Sequence, residues 1–531
     1  AAESAVVAAL GGAAGLAVGG LWVPGPHSWA WSAPVLAAAV MIEPAVAVEA
    51  ARHIAGGRRV PADRRVRRLA ARSGRIRRAA IEAALVVVGA AALTALVRRG
   101  AAAAGPLDLL VAAAPALACL AAATLVLRLL GWSPRLALRV AARSRRVVPL
   151  LAAARAGVTA TSALPFVALT VAVGLLTVEV GLDQTVRTGE VRGSWDAVGA
   201  DVRVTAPTAA DLPGTADALP DAPGVVAAAA GSVDDVIQLY APHGGRRIRL
   251  LAVDPVTFGR LLDATPGGGS TDLARLGASA ADGSLPALVE PGVAAVGTSG
   301  VSVRRDDVSV RLAVVGTVSR TVGGAPAATA EDLPTVLVDA AALSTVSGRP
   351  VLPNTLWVVG PGAEDTVAAL PASPRQTVLS RGAWLAEHRA APLTEGLVVL
   401  RDTARPVLLL FGLLVVVLAA AAGAPGRRSS LALLSVLGVG RGQLRRIAWG
   451  ELLPPVLAAC PAGVAIGAVL TSVVAGPLDL RILTGQRADP AAVVPWWTVL
   501  VMVPPVLTVL VVAAAEGRRQ RLRSVLRVGD R

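Results

Sequence analysis

The sequence predicts an α-helical polytopic membrane protein with eight transmembrane helices and one α+β extracytoplasmic domain, and three observations carry that prediction. The 531 residues are 54% hydrophobic and only 16% charged, with a mean hydropathy of +0.63. That is far from the balance of a soluble globular chain. Eight apolar runs approach the roughly 20 residues that cross a bilayer as a helix. A single long segment, residues 183–400, interrupts them with a composition rich in Gly, Pro and Asp.

The eight runs fall at residues 4–23, 33–48, 79–97, 109–130, 163–182, 406–422, 452–474 and 494–515. The second and sixth are the shortest. Orientation follows from the arginines, because positively charged loops stay on the cytoplasmic side. Residues 52–78 hold 11 Arg, 135–155 six, 427–446 five and 518–531 six. With eight spans all four clusters land on one face; only Arg98 and Arg99 lie at the outer end of a span.

The net charge of +15 raises the possibility of nucleic-acid binding, but its distribution removes it. Residues 183–400 contain 23 acidic residues and 16 Arg, a net −7, so the rest of the chain carries +22 in short segments between apolar runs. No nucleic-acid partner is expected. The protein is placed in the cell (plasma) membrane, with 183–400 extracytoplasmic. Alternation at Val308, Val310, Leu312 and Val314 reads as a strand. Shorter apolar runs at 248–253, 335–338 and 355–359 read likewise, and helical stretches are expected at 363–370 and 381–388.

Catalytic chemistry finds no support. A phosphate-binding P-loop needs Lys, and the chain has none. His27, His53, His243 and His388 are far apart and form no metal-binding motif; Cys119 and Cys460 sit inside apolar runs as packing residues. No catalytic, cofactor or metal site is therefore assigned. Of the acidic residues in or beside spans, Glu49, Asp108 and Glu179 can reach a membrane boundary. Glu43 is the candidate for a role within the membrane.

The two ends share a repeat: Glu3, Gly15 and Gly19 align without a gap on Glu451, Gly463 and Gly467. Each glycine pair has the small-xxx-small spacing that lets membrane helices approach closely. The most informative stretch is 427–451, RRSSLALLSVLGVGRGQLRRIAWGE. Leu431, Leu433, Leu434 and Leu437 can form an apolar face, Gly438 can stop the helix through a left-handed cap, and Arg441, Arg445 and Arg446 follow before Glu451. The same pattern would suit a basic helix lying on anionic lipid heads.

Residues 427–451 resemble the signature of FtsX-like permeases. The stretches around Asp201–Val204, Leu251–Phe258 and Leu379–Leu393 resemble a MacB-type periplasmic domain. The resemblance implies the permease subunit of an ABC transporter, with 427–446 as the coupling helix and Arg427, Leu431, Leu434, Leu437, Gly438, Arg441, Arg445, Arg446 and Glu451 contacting or framing a separate ABC ATPase. That ATPase, a dimer, would hold ATP and Mg. Ser430 stands where family members commonly carry an acidic residue. Implied cargo is a peptide, drug or lipoprotein; the alternative is a mechanical scaffold that regulates a cell-wall hydrolase.

In the double-module arrangement of such permeases, residues 1–50 would be the last two helices of a first module. A basic cytoplasmic loop (51–78), two linking helices (79–130) and a basic cytoplasmic segment (131–160) would follow. The second module would comprise a helix at 161–182, the domain at 183–400, three helices within 401–515 and a basic tail at 516–531. Residue 1 falls where a first coupling helix would just have ended, so roughly two hundred or more residues are expected upstream (typical domain sizes).

Overall fold

The computed structural model describes residues 64–100, 109–130, 163–207, 209–212, 219, 222–241, 244–266, 273–277, 283–294, 300–305, 308–318, 323–324, 333–436 and 441–515. The expected spans at 4–23 and 33–48, the segment 131–160 and the tail 516–531 lie outside these residues. The chain divides into two compact units. One holds residues up to Thr185 together with Glu395–Asp479 and Ala491–Arg531; the other holds Val186–Thr394 and Leu480–Pro490.

The first unit is helical. Its principal helices are α1 (Arg64–Arg99), α2 (Ala114–Leu130), the first part of α3 (Ala163–Val198), most of α8 (Pro392–Val436) and α9 (Arg441–Val474). Among the described residues five helical segments are long and apolar enough to cross a membrane: Ile76–Arg99, Leu164–Val198, Thr394–Arg427, Trp449–Val474 and Trp496–Ala515. The fourth expected span, 109–130, is divided. A four-residue helix, Leu109–Ala112, ends in a turn and α2 restarts at Ala114. Pro115 explains the break, since it has no N–H to give Val111 and its ring would clash with that carbonyl. The sixth span is longer than its sequence suggested, because α8 continues through Pro406 and Pro425.

Helices α2, α3 and α9 pack through small residues. Cys119, Val178 and Leu470 share one buried cluster; Leu169, Val173, Val416, Val456 and Cys460 share another. A Cβ on Gly89 of α1 would stand 2.7 Å from the Leu117 carbonyl oxygen of α2, so these two helices meet at backbone contact distance.

The second unit is α+β. Strands β1 (Val202–Thr205), β2 (Ala227–Ala241), β3 (Gly244–Val253), β4 (Leu285–Val289), β5 (Val301–Arg305), β6 (Val308–Thr317), β7 (Thr335–Asp339), β8 (Thr355–Val359) and β9 (Thr377–Ser380) join in the order β3-β7-β4-β6-β5-β2-β8-β1-β9. Because β2 also pairs with β3, the first six close into a barrel. Its interior is filled by residues such as Leu239, Ile248, Leu250, Val303, Val310 and Val336. The 15-residue β2 serves both parts: Ala227–Gly231 pairs with β8, Gly231–Ala241 pairs with β3 across a register shift between Asp234 and Ile237, and Gln238–Tyr240 pairs with β5. Such an irregularity bends a strand and increases its twist, which suits one that leaves an open sheet to enter a barrel.

Local chemistry sets the connecting helices. Asp254 caps α4 (Pro255–Asp263) by accepting from the Thr257 N–H at 2.9 Å, and Pro255 at the first turn has no N–H to leave unsatisfied. Asp339 caps α5 (Ala340–Ser347), which ends on Gly348 at φ 68°; that conformation favours glycine. Helix α6 (Ala363–Ala368) covers Val202, Val204, Leu356 and Val358. Ser380 caps α7 (Arg381–Ala390). Between the barrel and α4, Trp357 meets Phe258 edge-on at 5.5 Å and donates from Nε1 to the Gly323 carbonyl at 2.9 Å.

Among the described residues of this unit two guanidiniums are buried. Arg249 binds Asp235 at 2.8 Å and also donates to the Gly324 carbonyl. Arg203 is packed over Gly324 without being bonded into that pair. Burial first, and the like charge of Arg249 second, push the Arg203 guanidinium down to about 10, with Asp235 opposing.

Candidate coupling site in the membrane unit

The coupling segment expected at 427–446 begins inside α8, which stays helical to Val436; α9 begins at Arg441. Leu431 and Leu434 are on the α8 backbone. Their side chains, those of Arg441 and Arg445, and the whole of Leu437 and Gly438 lie outside the described residues. Arg446 is exposed and Ile447 beside it is buried.

Arg427 departs from expectation. Expected among the residues that contact or frame the ATPase, it is 3% exposed. Its side chain folds back along its own helix, donates from Nη2 to the Ala420 carbonyl, and brings Nη1 to 3.9 Å from Glu451 Oε1 on α9. Gly423 makes the fold-back possible, since a Cβ there would stand 2.5 Å from Nη1. Pro425 deprives the neighbouring Ala421 carbonyl of its helical donor, so a cation lies where the helix ladder is thinnest. Glu451 is itself buried and lies within α9, ten residues from its start.

Gly463 and Gly467 form the close contact with α3. A Cβ on Gly463 would lie 2.8 Å from the Thr170 carbonyl oxygen, and one on Gly467 2.5 Å from that of Gly174. Both obstacles are backbone atoms, so neither glycine can carry a side chain without separating the helices. Gly15 and Gly19 lie outside the described residues, as do Glu43, Glu49, Asp108, His27, His53 and His243. His388 is a packing residue: it stacks on Trp384 at 4.7 Å and its Nε2 is 2.8 Å from the Leu483 carbonyl. Among the described residues no three or more His, Cys, Asp and Glu side chains gather as metal ligands would.

Sequence reasoning placed Glu179 at a boundary and missed its partners. Arg405 of α8 takes Glu179 of α3 in a fork, Nε to Oε2 at 3.0 Å and Nη2 to Oε1 at 2.9 Å, and reaches Asp183 at 3.4 Å. One turn away, Arg401 binds Asp183 at 2.5 Å and Asp402 at 2.9 Å. The Glu179 and Asp183 side chains are 14% and 11% exposed, so the carboxylates are mostly withdrawn from solvent and rely on these guanidiniums. The signal in the sequence was matched spacing: two acids four apart at the end of one apolar run, two arginines four apart before another.

Comparison with known proteins adds one match: residues 407–524 fit the family model of the FtsX-like permease C-terminal domain. No curated protein matches the chain. The matched region contains Arg427, Glu451, Gly463 and Gly467 and includes or overlaps three of the five long apolar helical segments. With those segments and this match, the chain is a polytopic membrane protein whose C-terminal region resembles the FtsX-like permease C-terminal domain.

Proposed function

We propose that this chain is the permease subunit of an ABC transporter, coupling ATP hydrolysis by a separate ATPase subunit to movement outside the cytoplasm. FtsX-like permeases generally pair with such an ATPase, and the match over 407–524 carries the reading. The absence of Lys fits it, since no P-loop can form on this chain. In this reading 183–400 is an extracytoplasmic domain of MacB type, eight helices span the membrane and 427–446 docks on the ATPase. One helix, α8, carries Arg401, Arg405 and the start of the docking segment, so displacing the segment displaces both arginines. Cargo would be a peptide, drug or lipoprotein.

The test is co-purification of the ATPase with permease variants inserted at equal levels. Leu434→Asp should release it, because burying a leucine contributes roughly 1.5–3 kcal/mol and a charge reverses that gain. Retention by Leu434→Asp, with release on loss of Arg445 and Arg446, would make the segment a lipid-binding helix instead. Stimulation of the ATPase by a soluble cargo supports export; stimulation only by a cell-wall hydrolase supports the signalling scaffold.

A further inference from the structure

We propose that Glu179, Asp183, Arg401 and Arg405 form a register lock with two seats one helical turn apart, and that ATP-driven displacement of α8 moves the lock between them. The lock itself is a property of this chain; only its drive by ATP rests on the function proposed above.

Three contacts fix the first seat. Asp183 faces Arg401, Glu179 faces Arg405, and a Cβ on Gly412 would lie 3.5 Å from that of Ala172. Each step along α3 is matched by an equal step backward along α8, so all three define one antiparallel register. The second seat would build on a diagonal contact of the first, Arg405 Nη2 to Asp183 Oδ2 at 3.4 Å. Sliding α3 by one turn, about 5.4 Å, would set Asp183 squarely opposite Arg405, while Arg401 keeps its neighbour Asp402. Register shifts of one turn between packed elements are an established kind of switching transition.

Two physical features make the seats discrete. Carboxylates withdrawn from solvent as far as Glu179 and Asp183 are costly without partners, so positions between the seats are disfavoured. At Gly412 the interface presents no side chain to Ala172 and Leu169, and the slide repacks Leu169 and Val173 against Val416. The first seat satisfies both carboxylates with guanidiniums and the second only one, so the resting register is the one observed.

The experiment uses full-length permease with its ATPase in lipid nanodiscs, in a background with Cys119→Ala and Cys460→Ala. The pair Ala172→Cys and Gly412→Cys reports the first seat, since disulfides form near a Cβ separation of about 3.8 Å. The pair Leu176→Cys and Gly412→Cys reports the second. In permease alone the first pair should cross-link and the second should not. Glu179→Gln removes the bond that only the first seat makes and should raise the second cross-link at the expense of the first, with no nucleotide present. If Glu179→Gln fails to reach the membrane, Glu179→Asp weakens the same bond and reads the same balance. An unchanged first-pair yield and no second-pair product in these variants would overturn the lock. Trapping the ATPase with ATP should produce the same shift in the unsubstituted ladder. A shift with Glu179→Gln but none with ATP leaves the lock standing and overturns its drive by the ATPase.

Discussion

Arg427 and Glu451 face each other across α8 and α9 with both side chains buried and Nη1 3.9 Å from Oε1. Removing one member of a buried ion pair leaves an uncompensated charge and typically destabilises by about 3–5 kcal/mol, whereas replacing both by apolar residues is often neutral or better. Glu451→Leu should therefore lower the thermal midpoint of the permease in detergent, and Arg427→Met with Glu451→Leu should recover most of the loss. A double substitution no more stable than the single one would show that the two residues do not act as a pair.

Gly467 should tolerate no side chain. Its Cβ would stand 2.5 Å from the Gly174 carbonyl oxygen and 2.5 Å from Thr177 Cβ, and backbone on both helices cannot yield as a side chain does. Gly467→Ala is expected to destabilise by about 1–3 kcal/mol, the usual scale of overpacking. Gly476→Ala is the control, since nothing lies within 4 Å of its Cβ position. The comparison is made by thermal unfolding of the two purified variants.

The elements legible in the sequence were those set by local periodicity. Alternation at Val308–Val314 and the apolar run at 355–359 correspond to β6 and β8, and the apolar runs at 79–97, 163–182, 406–422, 452–474 and 494–515 fall in long helical segments. Barrel closure was not legible, because it depends on β2 pairing with both β3 and β5. The break before α2 was legible in Pro115, but apolar content outweighed it. The charge ladder joins residues more than 200 positions apart, and single-sequence spacing does not show which acid meets which arginine. The burial of Arg427 was not legible, because it depends on the gap at Gly423 and on the acid of the next helix.

The two buried arginines of the barrel unit should respond oppositely to loss of charge. Arg249→Met deletes the bonds to Asp235 and the Gly324 carbonyl, and hydrogen bonds to charged groups contribute about 1.5–3 kcal/mol each, so its thermal midpoint should fall. The Arg203 guanidinium is held down to about 10 in the folded state, below its unfolded value. The folded state therefore holds that proton less tightly, and its charge costs stability at every pH below about 10, a cost relieved only as pH rises from there toward the unfolded value. Arg203→Met should match or exceed the parent at neutral pH. A fall as large as that of Arg249→Met would show that the Arg203 charge is stabilising.

The sidedness of the barrel unit is open to a direct test, provided that the labelled residue is accessible. Ser232 lies in the middle of the unit's longest strand but is only 3% exposed, so a cysteine there would resist reagent from either side. Leu352, between α5 and β8, is 61% exposed. The native cysteines Cys119 and Cys460 are both buried and add little background. If residues 183–400 are extracytoplasmic, as the four arginine clusters and the net charge of −7 argue, Leu352→Cys should react with a membrane-impermeant maleimide in intact cells. Prior treatment with a second impermeant thiol reagent should block that reaction. Labelling that appears only after permeabilisation would place the unit in the cytoplasm. That result would invert every span and set the docking segment on the side away from any ATPase.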